Sequence, residues 1–268
     1  MAIEIAPLDQ ADIPGAVDCI QRAFADDPAF NWLFDDPDKY NAKRNAASLA
    51  ADLWYGLNCG APIHVAKTTA PPTPASTRTS ASPIPDEKPR VSPIEHTDMT
   101  APRASPERTR SPNRIVGVAV WLPPKPAEEP ESWTVWTQEW ILSLRQVLNN
   151  IRFLGRGGLN LRRYRIWKAS QKEAHEDILW DPRGYYFCTF LAVSAEARGQ
   201  GVGRRLVDMV TSVADFEGVP CYLESSKAVP NVAIYRKMGF EFVREVKSVD
   251  GDDVCTLYAM VRRPRRKA

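Results

Sequence analysis

The sequence predicts an α+β (α/β) fold in which helices flank a mixed sheet. Residues 185–240 read as strand, glycine-rich turn, helix, strand and short helix. After them, 242–249 and 254–261 read as two strands around Asp250-Gly251, a strong hairpin signal. Earlier in the chain, apolar residues recur at three-and-four spacing over several stretches, as amphipathic helices require.

Taken in order, residues 3–8 read as a first strand, closed by Pro7. Asp12 is placed to cap a helix in which Ile13, Val17, Ile20 and Phe24 share a face, and Asp26-Asp27-Pro28 ends it. Phe30, Trp32, Leu33 and Phe34 crowd aromatic surface into a short segment whose ordinary role is core packing. Residues 45–57 predict a helix with Ala46, Leu49, Leu53 and Leu57 on one side, stopped by Gly60, and 61–66 a short strand. Residues 67–114 change character: they hold ten of the 23 prolines, many Ser and Thr, and no aromatic residue. Such a segment cannot bury enough apolar surface to offset its ordering entropy, so it is expected to be a disordered insertion within one domain spanning 1–268. Its Ser-Pro pairs at Ser82, Ser92, Ser105 and Ser111 are candidates for proline-directed phosphorylation.

Residues 115–122 read as a strong strand, stopped by Pro123-Pro124. From Glu131, a helical stripe of Trp133, Trp136, Trp140, Leu144, Val147, Leu148 and Ile151 is expected to face the core, and Gly155, Gly157 and Gly158 end it. Asn160 is placed to cap a further helix to about Asp177. Strand 185–193, a helix with Val202, Leu206, Met209, Val210 and Val213 on one face, and a strand starting at Cys221 follow. Residues 262–268 form a basic tail, read as a solvated terminus or a nuclear-import patch.

Composition excludes several classes. A hydrophobic fraction of 44% and a charged fraction of 25% are ordinary for a soluble globular chain; a net charge of +2 argues neither for nor against a polyanionic partner, and no nucleic-acid partner is expected. Cys19, Cys59, Cys188, Cys221 and Cys255 are scattered, and His64, His96 and His175 lie far apart, so no metal and no disulfide framework is expected. No apolar run has membrane-spanning length and no signal peptide is read, so a cytoplasmic or nuclear location is expected.

The chemistry concentrates in Arg198-Gly199-Gln200-Gly201-Val202-Gly203-Arg204. Three glycines on alternate positions let the backbone approach a ligand closely. The helix that follows presents unpaired N–H groups and the positive end of its dipole, which suits a phosphate or pyrophosphate. Arg198 and Arg204 flank the turn and suit phosphate oxygens. A dinucleotide fold has G-x-G-x-x-G with an acidic residue about 20 positions on. Glu224 meets that separation, but only one strand, a short helix and a hairpin remain after the turn, too few further βα units.

The pattern instead resembles the GNAT acetyltransferase superfamily, whose acetyl-CoA motif Q/R-x-x-G-x-G/A is matched at every fixed position by residues 198–203. Asn231-Val-Ala-Ile-Tyr235-Arg-Lys-Met-Gly239-Phe240 is similar to the superfamily's second block, and Gly117 to Pro123 to GNAT enzymes of the puromycin-acetyltransferase type. The resemblance spans about 1–66 and 114–261 and is specific only in 185–240. It implies the GNAT fold: a central, mostly antiparallel mixed sheet flanked by helices, with splayed central strands. It also implies direct acetyl transfer from acetyl-CoA to an amine. Pantetheine would pair with Leu191, Ala192 and Val193, the pyrophosphate would sit on residues 198–204, and Asn231 would bond the pantetheine arm and cap its helix. Tyr235 stands at the position of the family's general acid, and Phe30, Trp32, Trp121 and Tyr186 are candidates for the acceptor wall.

The base is open at this level. Glu224, at the end of the second core strand, is placed to take a proton from the amine or to orient other groups, and His175 is the other candidate. The expected acceptor is a small-molecule amine, the expected assembly a monomer or homodimer. A peptide or protein N-acetyltransferase shares the same motifs, oxygen acceptors remain open, and Tyr235 argues against a non-catalytic acyl-CoA-binding module.

Overall fold

The computed structural model describes residues 2–69, 114–126, 132–178 and 181–265. Its strands are β1 (Ala2–Pro7), β2 (Ile63–Thr69), β3 (Arg114–Leu122), β4 (Tyr186–Val193), β5 (Cys221–Ser225), β6 (Glu241–Asp250) and β7 (Asp253–Arg262). The helices are α1 (Ile13–Ala23), α2 (Pro28–Leu33), α3 (Ala42–Asn58), α4 (Trp133–Arg152), α5 (Leu161–Ile178), α6 (Val202–Glu217) and α7 (Asn231–Lys237). The seven strands form one sheet in the order β1-β2-β3-β4-β5-β7-β6. Every neighbouring pair is antiparallel except β4 and β5, which run parallel. This is the GNAT fold expected from the sequence.

The parallel pair is short. β4 meets β5 only from Tyr186–Cys221 to Cys188–Leu223. Beyond it β4 continues to Val193, paired on its other edge with β3, while β5 leans on β7. The sheet therefore forks at its centre, and the β4 edge from Thr189 to Val193 has no strand beside it among the described residues.

Two layers cover the sheet. On one face α6 lays Val202, Leu206, Val207, Val210 and Ala214 over the central strands, each large side chain contributing about 1.5–3 kcal/mol by burial. Gly117 of β3 makes this close approach possible: a Cβ there would sit 3.0 Å from both Leu206 Cδ1 and Val202 Cγ1. Val232, Tyr235 and Met238 of α7 pack on the same cluster. On the other face α1 and α3 bury Ile13, Val17, Ile20 and Leu53 against β2 and β3, while Ala174 of α5 packs with Tyr222, Val246, Leu257 and Ala259 of β5, β6 and β7.

Several local readings are corrected. Asp12 does not cap α1 by side chain; Asp9 and Asp12 form a reciprocal capping box (3.0 and 3.1 Å) around a short 3₁₀ turn that leads into α1. Asp27 does not simply end that helix. Its Oδ1 accepts from Ala29 N and Phe30 N (3.0 and 3.1 Å) and so starts α2, with Pro28 in the first turn. Asn41 caps α3, which starts at Ala42, three residues ahead of the predicted start. Residues 67–69 continue β2; the remainder of the expected insertion, 70–113 with its Ser-Pro pairs, lies outside the described residues, as does the end of the basic tail.

The largest correction concerns α4. Its tryptophan stripe faces outward, with Trp133 80% and Ile151 66% exposed, and no residue of the helix is buried. The polar side faces the protein. Gln146 Oε1 accepts from Ser48 Oγ (3.0 Å), Asn150 Oδ1 from Arg44 Nη2 (2.8 Å), and Arg145 lies over the Trp54 ring (3.9 Å). The matching face of α3 is itself polar, so the polar row of α4 is the one that finds partners there. Periodicity shows that an apolar face exists; it does not show what covers it.

Candidate active site

The predicted glycine turn takes the conformation that only glycine adopts freely. Gly199 and Gly201 have φ of +76° and +73°, and a Cβ on either would meet no atom within 4 Å. The space above them is therefore open, a cradle that side chains would fill. Arg205 N–H is the first in α6 to close, on Gly201 O (3.0 Å), so the helix does not use the turn's earlier N–H groups. Gly203 serves packing, since its Cβ would stand 3.5 Å from Val193 Cγ2.

The flanking side chains brace this turn. Arg198 Nε donates to Val193 O (3.2 Å) and Gln200 Nε2 to Glu196 O (2.8 Å). Glu196 pairs in turn with Arg114 (2.7 Å) at the start of β3. Arg204 sits 3.6 Å from Asp208 on the exposed side of α6. The turn opens beside Leu191, Ala192 and Val193, whose far edge lies in the fork. Backbone N–H groups at a helix start, next to an unpaired strand edge, suit a ligand with a pyrophosphate and an amide-bearing arm, so the residues present fit acetyl-CoA.

Glu224 and Tyr235 flank the fork from opposite faces. Cys221 and Leu223 point to the α6 side and Tyr222 to the α5 side, so strand alternation puts Glu224 with Tyr222. The Glu224 side chain is 4% exposed. It accepts from Tyr222 Oη (2.8 Å) and from Gln171 Nε2, with His175 Nε2 3.4 Å away. Tyr185 Oη lies 2.8 Å from the other ring nitrogen of His175, whose ring is boxed by Phe187 and Tyr222. Tyr185, just ahead of β4, and His175 of α5 thus line up towards Glu224 at the fork, although His175 Nε2 makes no hydrogen bond. Spacing alone gave His175 no place; α5 brings it to Glu224.

Tyr235 is half-buried on the α6 side, its ring 6.3 Å from Phe240. Burial raises its pKa, with Cys188 and Asp27 adding in the same direction, so the phenol keeps its proton. Asn231 does not cap α7; its Nδ2 donates to Ser225 Oγ (3.1 Å) and ties the helix to the end of β5.

The predicted acceptor wall separates into two groups. Phe30 stacks on Phe34 (4.6 Å) and meets Tyr40, while Trp32 is buried beneath Arg163 (5.2 Å). Trp121, by contrast, is fully buried in the α6-side core, and Tyr186 is 7% exposed with its hydroxyl donating to Glu217 (2.8 Å). Trp32, Trp121 and Tyr186 are thus all buried, and of the four only Phe30 is half-exposed in this structure. Asp27, unassigned from sequence, joins the aromatic group to the fork: its Oδ2 accepts from Ser226 Oγ, just past β5. Its signal was the Asp-Pro step, which caps a helix as readily as it ends one.

No cysteine is poised as a nucleophile. Burial raises the thiol pKa of Cys19 and Cys255 to about 11 and of Cys221 to about 12, and lifts Cys188, close to Tyr235, further still. Among the described residues no group of His, Cys, Asp and Glu is placed to hold a metal ion, and no helix is long and apolar enough to cross a membrane.

Residues 163–242, which run from α5 through the glycine turn and Glu224 to Tyr235, match the family model for the acetyltransferase (GNAT) domain. An uncharacterized N-acetyltransferase of Schizosaccharomyces pombe is 23% identical over 58% of this chain and 59% of its own length, so the match spans about three fifths of that relative. Two solved structures resemble the fold. A Corynebacterium glutamicum protein described as histone acetyltransferase HPA2 and related acetyltransferase superposes with a TM-score of 0.51 at 20% identity, over 100% of this chain and 99% of the other. Arylalkylamine N-acetyltransferase 2 from Aedes aegypti superposes with a TM-score of 0.52 at 11% identity, over 99% and 100%. The domain match covers residues 163–242, and the likeness to the solved structures is one of fold.

Proposed function

We propose that this GNAT-domain protein is an acetyl-CoA-dependent N-acetyltransferase that acts on the amine of a small molecule. The observation that carries the reading is the fork: an open glycine cradle leads into it, a protonated tyrosine stands on one face and a carboxylate on the other. Bound acetyl-CoA would supply an activated acetyl thioester. The N–H groups from Gly199 to Arg204 would hold its pyrophosphate, and the free edge of Leu191 to Val193 would align its arm.

The chain's own residues then have two proton tasks. An amine reaches the enzyme mostly as an ammonium ion and must lose a proton before its nitrogen attacks the carbonyl carbon. Glu224 takes that proton, with His175 beside it as the route onward. Tyr235 would give its proton to the leaving thiolate as the carbon–nitrogen bond forms and the carbon–sulfur bond breaks. The raised pKa of the phenol keeps that proton in place until it is needed. The raised thiol pKa values argue against an acyl-cysteine and support direct transfer.

A compact acceptor is supported by the cover over Glu224. α5 buries Gln171 and Ala174 on that face, and Arg163 ties α5 to the β6–β7 turn by ion pairs to Asp250 (3.2 Å) and Asp253. A long peptide would need that face open. The outward tryptophans of α4 do not contribute to this reading.

Calorimetric titration with acetyl-CoA, CoA and NAD, followed by an amine and peptide screen read by free-thiol release, tests the proposal. The expected result is acetyl-CoA binding without NAD binding, and turnover of small amines. Tyr235→Phe should keep binding and lose at least about 100-fold in kcat; Glu224→Gln should lose a similar factor. NAD binding, or no CoA binding, would overturn the reading. Preferential turnover of peptides would replace the acceptor class.

A further inference from the structure

We propose that α4 is a homodimer interface, its apolar stripe packing antiparallel against the same helix of a second copy. The helix is inside out for a lone molecule. Its polar row is spent on α3, and Trp133, Trp136, Trp140, Leu144, Val147, Leu148 and Ile151 lie on the outward side, between 47% and 80% exposed. Together they offer on the order of 700 Å² of apolar surface, beyond what a soluble monomer usually leaves open and close to the share of one partner in a standard interface.

The order of the stripe selects the occupant. All three tryptophans lie in the first half of the helix, and the second half is aliphatic. A two-fold axis at Leu142 sets Trp133 opposite Ile151, Trp136 opposite Leu148, and Trp140 opposite Leu144. Every bulky ring then meets a smaller branched side chain, the large-against-small pattern that interdigitates in a packed core. A parallel pair would stack indole on indole. The stripe advances 3.6 residues per step from Trp133 to Ile151, so two straight helices stay in register over about 27 Å. A lipid surface is less well matched, since α4 carries only Arg145 and Arg152 as cations and holds Arg145 against Trp54. Residues 70–113 contain no aromatic residue and few aliphatic ones to fill the stripe.

Sedimentation velocity on the full chain tests this, with far-UV circular dichroism as the check on folding. The wild type should sediment as a dimer at micromolar concentration. Trp136→Lys and Leu148→Glu should each give a folded monomer, because both side chains are exposed and neither supports the core. The double variant Trp136→Lys/Leu148→Glu should recover the dimer, because only the antiparallel register puts each Lys against a Glu. A monomeric wild type, singles that remain dimeric, or a double that stays monomeric would each overturn the proposal. So would monomeric protein that cosediments with phosphatidylcholine–phosphatidylserine vesicles, or dimerisation seen only after removal of residues 70–113.

Discussion

Gly199 and Gly203 belong to one motif but do different work, and alanine separates them. At Gly199 the backbone is left-handed and the space above it is open, so Gly199→Ala adds about 1 kcal/mol of strain and puts a methyl group into the cradle. Acetyl-CoA affinity should fall at least tenfold while the melting temperature drops by a few degrees. At Gly203 the new methyl would meet Val193 at an ordinary 3.5 Å inside a helix, so Gly203→Ala should leave stability and affinity nearly unchanged. Equal losses from both variants would count against the cradle. Glycines of this kind are legible in a sequence because the backbone demand is local. His175 is the opposite case. Its partners Tyr185 and Glu224 become neighbours only when α5 crosses the sheet, and no spacing rule encodes that crossing.

At the scale of elements, the closing hairpin is locked to α6 by one side-chain fork. Arg262, at the end of β7, donates through both Nη atoms to the Asp215 carboxylate (2.8 and 2.6 Å), which also accepts from Arg265 N (2.7 Å). Hydrogen bonds from Arg262 hold the Asp215 carboxyl below its ordinary pKa. A depressed carboxylate stabilises the fold fully above its unfolded pKa and loses that contribution as pH falls through the folded one. Asp215→Asn should therefore cost about 3 kcal/mol at neutral pH, leaving Arg262 buried and half-paired, and the gap to wild type should narrow below pH 4 in urea melts. A constant gap across that range would assign the loss to packing. Helices and strands themselves were read well where apolar spacing or capping residues marked them. α2 was missed because a six-residue helix is too short to show a period.

For the whole molecule, the strand–turn–helix–strand unit and the closing hairpin could be read in the chain, but the sheet order could not. Nothing local states that β7 lies between β5 and β6, yet that insertion frees β5 to diverge from β4. The fork sets Tyr235 and the cradle on one face of the sheet and Glu224 on the other, and under the proposed function donor and acceptor would reach it from different sides. In kinetic terms, donor and acceptor would not queue for a shared entrance. Initial-rate plots should intersect instead of running parallel. CoA should inhibit competitively against acetyl-CoA and non-competitively against the amine. A reaction that waited for CoA to leave before the amine could bind would need a different molecule, one whose sheet was closed through the middle.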